Sequence, residues 1–290
     1  MSKKILLTGV SGGFGKLTAL SLIQKGHQVV GTMRKTTGKN EAVAQELKEA
    51  GVHLVEMDVT IEDSVTQGVT AAISQLGGLD VVINNAGVGV LGMTEHFTAE
   101  DMKYLFDVNV FGVQRVNRAA LPTLRKQGSG LIIFVSSLLG RMTIPFYGPY
   151  NASKWALEGL AENYRTELSG FGIEAAIVEP GGYPTTFMDA LLTPSDDSRN
   201  EAYGDFMHAP KAMFDNFEAA LTNNPLQNPQ DVADAIVSLV DAPVGEKPFR
   251  TVVDKMGMGE PLKGYNEQLG QITHGVYSSF GIEGMLSVKK

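Results

Sequence analysis

The stretch KILLTGVSGGFGKLTALSLIQKG, residues 4–26, carries three signals in a row. KILLT (4–8) is a short apolar run of the kind a buried strand needs. TGVSGGFG (8–15) follows, with Gly9, Gly13 and Gly15 spaced G-x-x-x-G-x-G. FGKLTALSLIQKG (14–26) then sets Phe14, Leu17, Leu20 and Ile23 at helical spacing and stops at Gly26. A glycine turn between an N-terminal strand and a helix has a specific use. Glycine adopts backbone angles closed to other residues. Its missing side chain lets a pyrophosphate approach the backbone, and the helix start offers free N–H groups and a positive dipole end. Residues 9–15, with Ser11 and Phe14 between the glycines, are therefore the expected dinucleotide-binding turn. A tight strand-to-helix turn without a ligand is the competing reading.

Outward from this turn the alternation repeats. HQVVGTM (27–33), HLVEMDV (53–59), DVVINNAG (80–87), GLIIFVSS (130–137), IEAAIVEPGG (173–182) and FRTVVD (249–254) read as strands. Helical patterns lie around 40–50, 62–75, 99–118, 150–169 and 229–240. Strands that alternate with helices, apolar on both faces, predict a parallel sheet covered on both sides: an α/β, doubly wound Rossmann fold. The 290 residues are read as one such domain over 1–255 with a C-terminal extension over 256–290. The stretch 189–228 is richer in Asp, Asn, Ser and Pro and is expected to be a mobile insertion.

Composition sets limits on function. Hydrophobic residues make up 43% and charged residues 19%, enough for a sizeable core. A net charge of -8 argues against nucleic acid or an anionic membrane as the main partner. The absence of cysteine excludes disulfides, a thiolate nucleophile and zinc–thiolate sites. The start MSKKILLTGV lacks the apolar core of a signal peptide, and no apolar run reaches the ~18 residues of a membrane span. A cytoplasmic protein is the expectation. His27, His53, His96, His208 and His274 show no metal-ligand spacing; they are read as surface or loop residues, and no metal is expected.

The second strand bears on the choice of dinucleotide. In such folds an acid at its end binds the ribose hydroxyls of NAD, whereas a basic residue accepts the 2′-phosphate of NADP. Here the strand ends VVGTMRKTT (29–37), with Arg34 and Lys35 and no acid. Arginine grips a phosphate with two parallel hydrogen bonds. NADP(H) is favoured, with Arg34 as the main contact; if the two charges are merely solvated, NAD(H) is the cofactor. Asp58, followed by Val59 in MDVT, is expected to accept from the adenine amino group.

Six motifs in order resemble the short-chain dehydrogenase/reductase family, in its single-domain branch, over about residues 3–255. TGVSGGFG is similar to that family's T-G-x-x-x-G-x-G. NNAG (84–87), with Asn85, Ala86 and Gly87, stands at the end of the fourth strand. Asn109 in DVNVFG matches the asparagine of the following helix. Ser137 lies thirteen residues before Tyr150, and Tyr150 with Lys154 matches Y-x-x-x-K. PGGYPT (180–185), with Pro180, Gly181, Tyr183 and Thr185, resembles the P-G-x-x-x-T segment that runs past the nicotinamide. The family spacing selects Ser137 over Ser136, and strand alternation sets the two on opposite faces. Two positions depart from the pattern. Gly12 stands where many NADP-using relatives have a serine or a basic residue. Tyr183 and Pro184 replace a small apolar and a polar residue, and Pro184 removes one backbone donor.

On a helix, Tyr150 and Lys154 face the same way, and Pro149 suits the helix start. A free tyrosine, with a pKa of ~10, shuttles protons poorly near neutrality. A nearby ammonium and the positive oxidised nicotinamide favour phenolate and lower that pKa. Tyr150 is then the general acid or base, and Ser137 hydrogen-bonds the reacting oxygen. The resemblance implies that Lys154 also holds the nicotinamide ribose and that Asn109 ties Lys154 to a relay water. The hydride belongs to the cofactor. The expected enzyme interconverts a ketone or aldehyde and an alcohol.

Leu138, Met142, Phe146, Phe187 and Met188, with Leu139, Ile144 and Leu191 and the stretches VGVLGM (88–93) and TTFMDALL (185–192), suggest a lipophilic substrate, although ordinary packing uses the same residue types. The texture YNASKWALEGL (150–160) resembles the hydroxysteroid and retinol dehydrogenase-like branch, without implying a steroid. Three other classes compete. One is a dinucleotide-binding regulator without catalysis, which usually loses the tyrosine or the lysine. A second is an NAD-dependent alcohol dehydrogenase. The third is an extended-branch epimerase or dehydratase, which needs a larger C-terminal domain. Relatives suggest a homodimer or homotetramer. The extension could cap the pocket or pack on a neighbouring subunit.

Overall fold

The computed structural model describes residues 1–288. Seven strands, β1 Lys4–Thr8, β2 Gln28–Met33, β3 His53–Glu56, β4 Val81–Asn84, β5 Gly130–Val135, β6 Ile173–Pro180 and β7 Arg250–Val253, form one sheet. Its order is β3-β2-β1-β4-β5-β6-β7, and every neighbouring pair is parallel. The chain winds outward from β1 to β3, then returns to lay β4 on the other side of β1. This reversal opens a crevice at the carboxyl ends of β1 and β4, where open α/β sheets bind ligands.

The helices are α1 Gly13–Gln24, α2 Glu41–Glu49, α3 Glu62–Leu76, α4 Ala99–Phe106, α5 Gly112–Gln127, α6 Gly148–Ser169, α7 Asn200–Tyr203, α8 Ala209–Thr222, α9 Gln230–Asp241 and α10 Gly259–Ser279. Strand alternation divides the core in two. Ile5 and Leu7 join Ala19 and Leu22 of α1, Leu47 of α2 and Ile236 of α9. Leu6 joins Val69 of α3, Val116 of α5 and Leu157 of α6 on the other face. Burial on both faces is why these strands read as continuous apolar runs.

Several expectations need correction. The helix read over 99–118 is α4, a π-helical stretch Asp107–Phe111, and α5, which runs on to Gln127. Its stop is Gly128, left-handed at φ 67°, a C-terminal signal the sequence reading passed over. The stretch 189–228 carries α7 and α8 and is stitched to the loop after β4. Leu91 N donates to Leu192 O and Leu192 N to Gly89 O, each at 2.9 Å. His27 and His96 are buried, unlike the other three histidines. The ring of His27 accepts from Lys3 N at 3.2 Å and meets Asp241 at 3.0 Å, and His96 packs edge-on against Tyr203. The partners of His27 let its ring leave water, whereas His96 Nε2 is buried without a hydrogen-bond partner among the described residues.

The C-terminal extension packs on its own chain. α10 lies against β7, and the turn Glu283–Leu286 lies against α6, where Arg165 Nη2 donates to Leu286 O at 3.1 Å. No helix among the described residues is long and apolar enough to cross a membrane. No three His, Asp or Glu side chains among them gather as a metal site.

Candidate active site

The glycine turn is built by exclusion. Gly9 and Gly13 take φ of 75° and 51°, the left-handed region that favours glycine. A Cβ on Gly15 would lie 2.1 Å from Gly9 O, and one on Gly9 2.8 Å from Ala86 Cα. Behind the turn, Thr8 Oγ1 accepts from Asn85 N and Ala86 N, both at 3.0 Å. Asn85 Nδ2 donates to the carbonyls of Thr8 at 3.0 Å and Gly9 at 2.9 Å. Asn85, a residue expected at the cofactor, thus spends its side-chain amide on bracing the turn. Thr8, which the sequence reading did not single out, is the other half of the brace.

No side chain caps α1, so its first N–H groups stay free. Across the mouth stand Thr185 and Thr186. A Cβ on Gly13 would come 3.6 Å from Thr185 Cβ, and one on Gly12 2.6 Å from Thr186 Oγ1. A narrow mouth walled by glycine, with an uncapped helix start at its base, fits a dinucleotide pyrophosphate. Ser11 is exposed at its rim and Phe14 is half-buried.

Arg34 is exposed just past β2 and forms no ion pair among the described residues. Glu56, at the end of β3, accepts from Thr36 N at 2.7 Å and Thr36 Oγ1 at 2.8 Å. The Thr36 backbone and hydroxyl hold its carboxyl below the usual range. Asp58 lies in the loop beyond β3. Its Oδ1 accepts from Thr60 N at 2.9 Å and Thr60 Oγ1 at 2.7 Å, which leaves Oδ2 for a ligand. Val59 is half-buried against Gly112 at the start of α5.

Tyr150 and Lys154 sit in the first turns of α6, both buried, behind Pro149 at the helix start. Lys154 Nζ donates to Val135 O at the end of β5 at 2.9 Å and lies 5.6 Å from the Tyr150 ring centroid. Ser137 follows β5. Its hydroxyl accepts from Leu139 N at 3.1 Å, donates to Pro180 O at 3.5 Å and lies against the Tyr150 phenol. Ser136 faces the other way, beside Glu158, as alternation predicts. Asn109 lies in the π-helical stretch. Its Oδ1 accepts from Val88 N at 2.9 Å; its Nδ2 donates to Val88 O at 2.9 Å and to Ser153 Oγ at 3.1 Å. With both ends of that side chain engaged, a relay at Asn109 would run through its backbone, which the π-helical stretch takes out of the ordinary ladder. Gly87 lies beside both: a Cβ there would be 3.3 Å from Asn109 Oδ1 and 3.9 Å from Lys154 Nζ.

Burial pushes the Tyr150 phenol above the ordinary tyrosine range, and the Ser137 hydroxyl only partly opposes it. Burial also pushes Lys154 down, to about 8, with Glu158 opposing. The expected lowering of Tyr150 by Lys154 is thus not produced by these two side chains. Desolvation is the larger effect on both side chains.

An apolar cluster surrounds Tyr150. Phe187 lies 5.9 Å and Tyr147 6.4 Å from it between ring centroids. Val90, Phe97 and Leu105 are buried with them, and Leu139, Ile144, Leu192 and Met213 pack around. Of the expected substrate walls, Phe187, Leu139 and Ile144 belong to this cluster. Leu138, Met142 and Met188 do not. Phe146 packs on Phe206 at 6.0 Å and takes φ of 65°, a strained conformation for a large side chain. Tyr183 is also placed differently. Gly181 and Gly182 pass so close to Asp254 and Phe217 that no side chain fits there, and the Tyr183 ring turns into the core, edge-on to Phe14 at 5.5 Å. Val90 and Leu192 lie in the expected wall stretches 88–93 and 185–192, whereas Met213 of α8 was missed because it comes from a distant segment with no shared motif.

Comparison with known proteins agrees with this arrangement. The model of the short chain dehydrogenase family matches residues 3–196. The 3-ketodihydrosphingosine reductase of Bacteroides thetaiotaomicron is 41% identical over 201 residues, covering 69% of this chain and 71% of that protein. Human 17-beta-hydroxysteroid dehydrogenase type 1 is 32% identical over 253 residues, 82% of this chain and 74% of that protein. A short-chain dehydrogenase from Streptomyces avermitilis superposes with a TM-score of 0.76 at 26% identity, covering 97% of this chain and 98% of that one. A Burkholderia phymatum relative, solved in complex with NAD, superposes with a TM-score of 0.72 at 25% identity, covering 87% of this chain and 88% of that one.

Proposed function

Because the chain belongs to the short chain dehydrogenase family and is an NAD(P)-dependent dehydrogenase/reductase, we propose that it interconverts an apolar ketone or aldehyde and its alcohol with NADP(H). The observation that carries this reading is the meeting of Tyr150, Ser137 and Lys154 at the ends of β5 and α6, under Phe187. The bound cofactor supplies the hydride. Residues 9–15, the backbone at 85–87 and Thr185 would hold it, with Lys154 at its ribose. Ser137 orients the substrate oxygen through a hydrogen bond that strengthens as charge develops there. Tyr150, kept protonated by burial, donates its phenolic proton to that oxygen during reduction. Lys154 and the backbone at Asn109 return the proton.

Two features favour NADP(H). Arg34 is exposed and free of ion pairs among the described residues, and the nearby acid, Glu56, is already engaged by Thr36. The relative solved with NAD is the observation that favours an NAD-dependent alcohol dehydrogenase instead. The apolar cluster around Tyr150, and relatives named for a keto-sphingoid base and a hydroxysteroid, favour a lipophilic substrate. We place the enzyme in the cytoplasm as a homodimer or homotetramer, with residues 1–255 as the catalytic domain and 256–290 as an appended element.

The test is a panel of aliphatic and aromatic ketones, aldehydes and secondary alcohols, assayed with NADPH or NADH by reduced-nicotinamide fluorescence. Turnover of apolar carbonyl compounds with NADPH is expected. Tyr150→Phe is expected to lower kcat by about 10²- to 10⁴-fold with NADPH binding unchanged. Full turnover by that variant would remove Tyr150 from the chemistry.

A further inference from the structure

Along α6, Tyr150, Lys154, Glu158 and Glu162 follow one another every four residues, so they share one face of the helix. Glu158 stands one turn beyond the lysine, and its side chain is 1% exposed. Around it gathers a buried set of charges. Arg141, from the loop after β5, reaches Glu158 Oε2 at 2.9 Å, Glu162 Oε1 at 3.0 Å and Glu179 Oε1 at 3.4 Å. Arg250 of β7 reaches Glu158 Oε2 at 3.1 Å, Glu179 Oε1 at 3.4 Å, and Glu162. Glu179, on β6, is fully buried. Asn266 of α10 donates to Glu179 Oε2 at 2.6 Å. Ser136 lies beside Glu158, and Arg165 acts on Glu162 from farther along α6.

At contact distance three carboxylates face two guanidinium groups, with Arg165 farther along α6. Lys154, one turn before Glu158 on the same helix face, is the cation on the active-site side of this cluster. Its other neighbours, Tyr150, Val135 O, Asn109 and Gly87, carry none when Tyr150 is protonated. We propose that Glu158 is a positioning residue that keeps Lys154 in its ammonium form, and that Glu179, held by Asn266 of the C-terminal extension, sets how much charge Glu158 carries. The directions of titration agree. Burial pushes Lys154 down and Glu158 pushes it back up. Burial and then the charge of Glu179 push Glu158 up, against Arg141. Glu158 touches no reacting atom and acts only through Lys154.

This inference rests on the reading of Lys154 as catalytic. Its test reads the lysine directly, in the full-length protein labelled with carbon-13 at lysine Cε, with the Lys154 resonance assigned by its loss in Lys154→Arg. Glu158→Gln is expected to move the Lys154 titration midpoint down by about one pH unit, the lower end of the effect of an adjacent opposite charge. Glu179→Gln frees Glu158 to ionise and is expected to move the midpoint up. Asn266→Ala, on the outer helix, loosens the hold on the Glu179 carboxylate, and the shared proton passes to Glu179; a smaller upward move is expected. An unmoved midpoint in Glu158→Gln, or a downward move in Glu179→Gln, overturns the proposal. Should Glu158→Gln fail to fold, the sign in Glu179→Gln decides alone. An unmoved midpoint in Asn266→Ala overturns the part given to the extension. If the midpoints move as expected while Lys154→Ala leaves turnover intact, the catalytic reading fails and the coupling of Glu158 to Lys154 stands.

Discussion

Thr8→Val tests whether the nucleotide turn is held from behind. The Thr8 side chain is buried, and valine has nearly its shape, so packing is conserved and only the hydroxyl is lost. That hydroxyl accepts from Asn85 N and Ala86 N at 3.0 Å and donates to Ile83 O at 3.4 Å. Two part-buried N–H groups then lose their acceptor. Each such loss costs about 1–3 kcal/mol. Small shifts of the turn relieve some of it, so a total of about 2–4 kcal/mol is expected. At about 1.4 kcal/mol per tenfold, the folding constant falls by between about 30- and 700-fold. Urea unfolding followed by fluorescence of Trp155, the single tryptophan, and by circular dichroism reads this as a lower midpoint at constant slope. Thr8→Ser keeps the hydroxyl and loses one methyl, so it is expected to cost only about 1 kcal/mol. A valine variant as stable as the wild type, or a serine variant as damaged as the valine one, would refute the brace.

Arg34→Ala is expected to weaken NADPH binding at least tenfold, or about 1.4 kcal/mol, and to leave NADH binding unchanged; equal effects in paired titrations would remove Arg34 as the phosphate contact. Gly15→Ala drives a methyl onto the Gly9 carbonyl and is expected to abolish NADPH binding or cooperative folding, so an unaltered titration would contradict the packing of the turn. The Asp101 carboxyl, raised by burial but lowered further by hydrogen bonds from Ser195 and Thr98, has a folded pKa below its unfolded one. Its stabilisation is therefore present above the unfolded pKa and lost as pH falls through the folded one. Asp101→Asn is expected to cost about 1 kcal/mol at neutral pH, a typical cap, and nothing in strong acid. A cost that persists in acid contradicts this.

The sheet and the first turn were legible because their signals are local. Two-sided burial writes β1 as an unbroken apolar run, and the spacing of Gly9, Gly13 and Gly15 reflects contacts within a few residues. Tyr150 and Lys154 were legible for the same reason, being one helical turn apart. What escaped was coupling across the chain. Thr8 and Asn85 are 77 positions apart, and nothing in either segment announces the other. The Val90–Leu192 bridge joins a loop to a stretch whose polar composition suggests slack. Tyr183 escaped because its motif position suggested a ligand, whereas two crowded glycines before it turn its ring inward. The upward push of burial on Tyr150 was not legible, because spacing reports neighbours and not desolvation.

The stitch between Leu192 and residues 89–91 has a kinetic side. One segment reaches the glycine turn through Thr185 and Thr186 and covers Tyr150 through Phe187. Two backbone hydrogen bonds fasten it at Leu192, worth about 0.5–1.5 kcal/mol each net, and Ser195 holds Asp101 just beyond. Lifting it for one ligand exposes the other, so the two departures share a single gate. On those two hydrogen bonds alone, that segment opens in between about one molecule in six and about one in 150 at any moment.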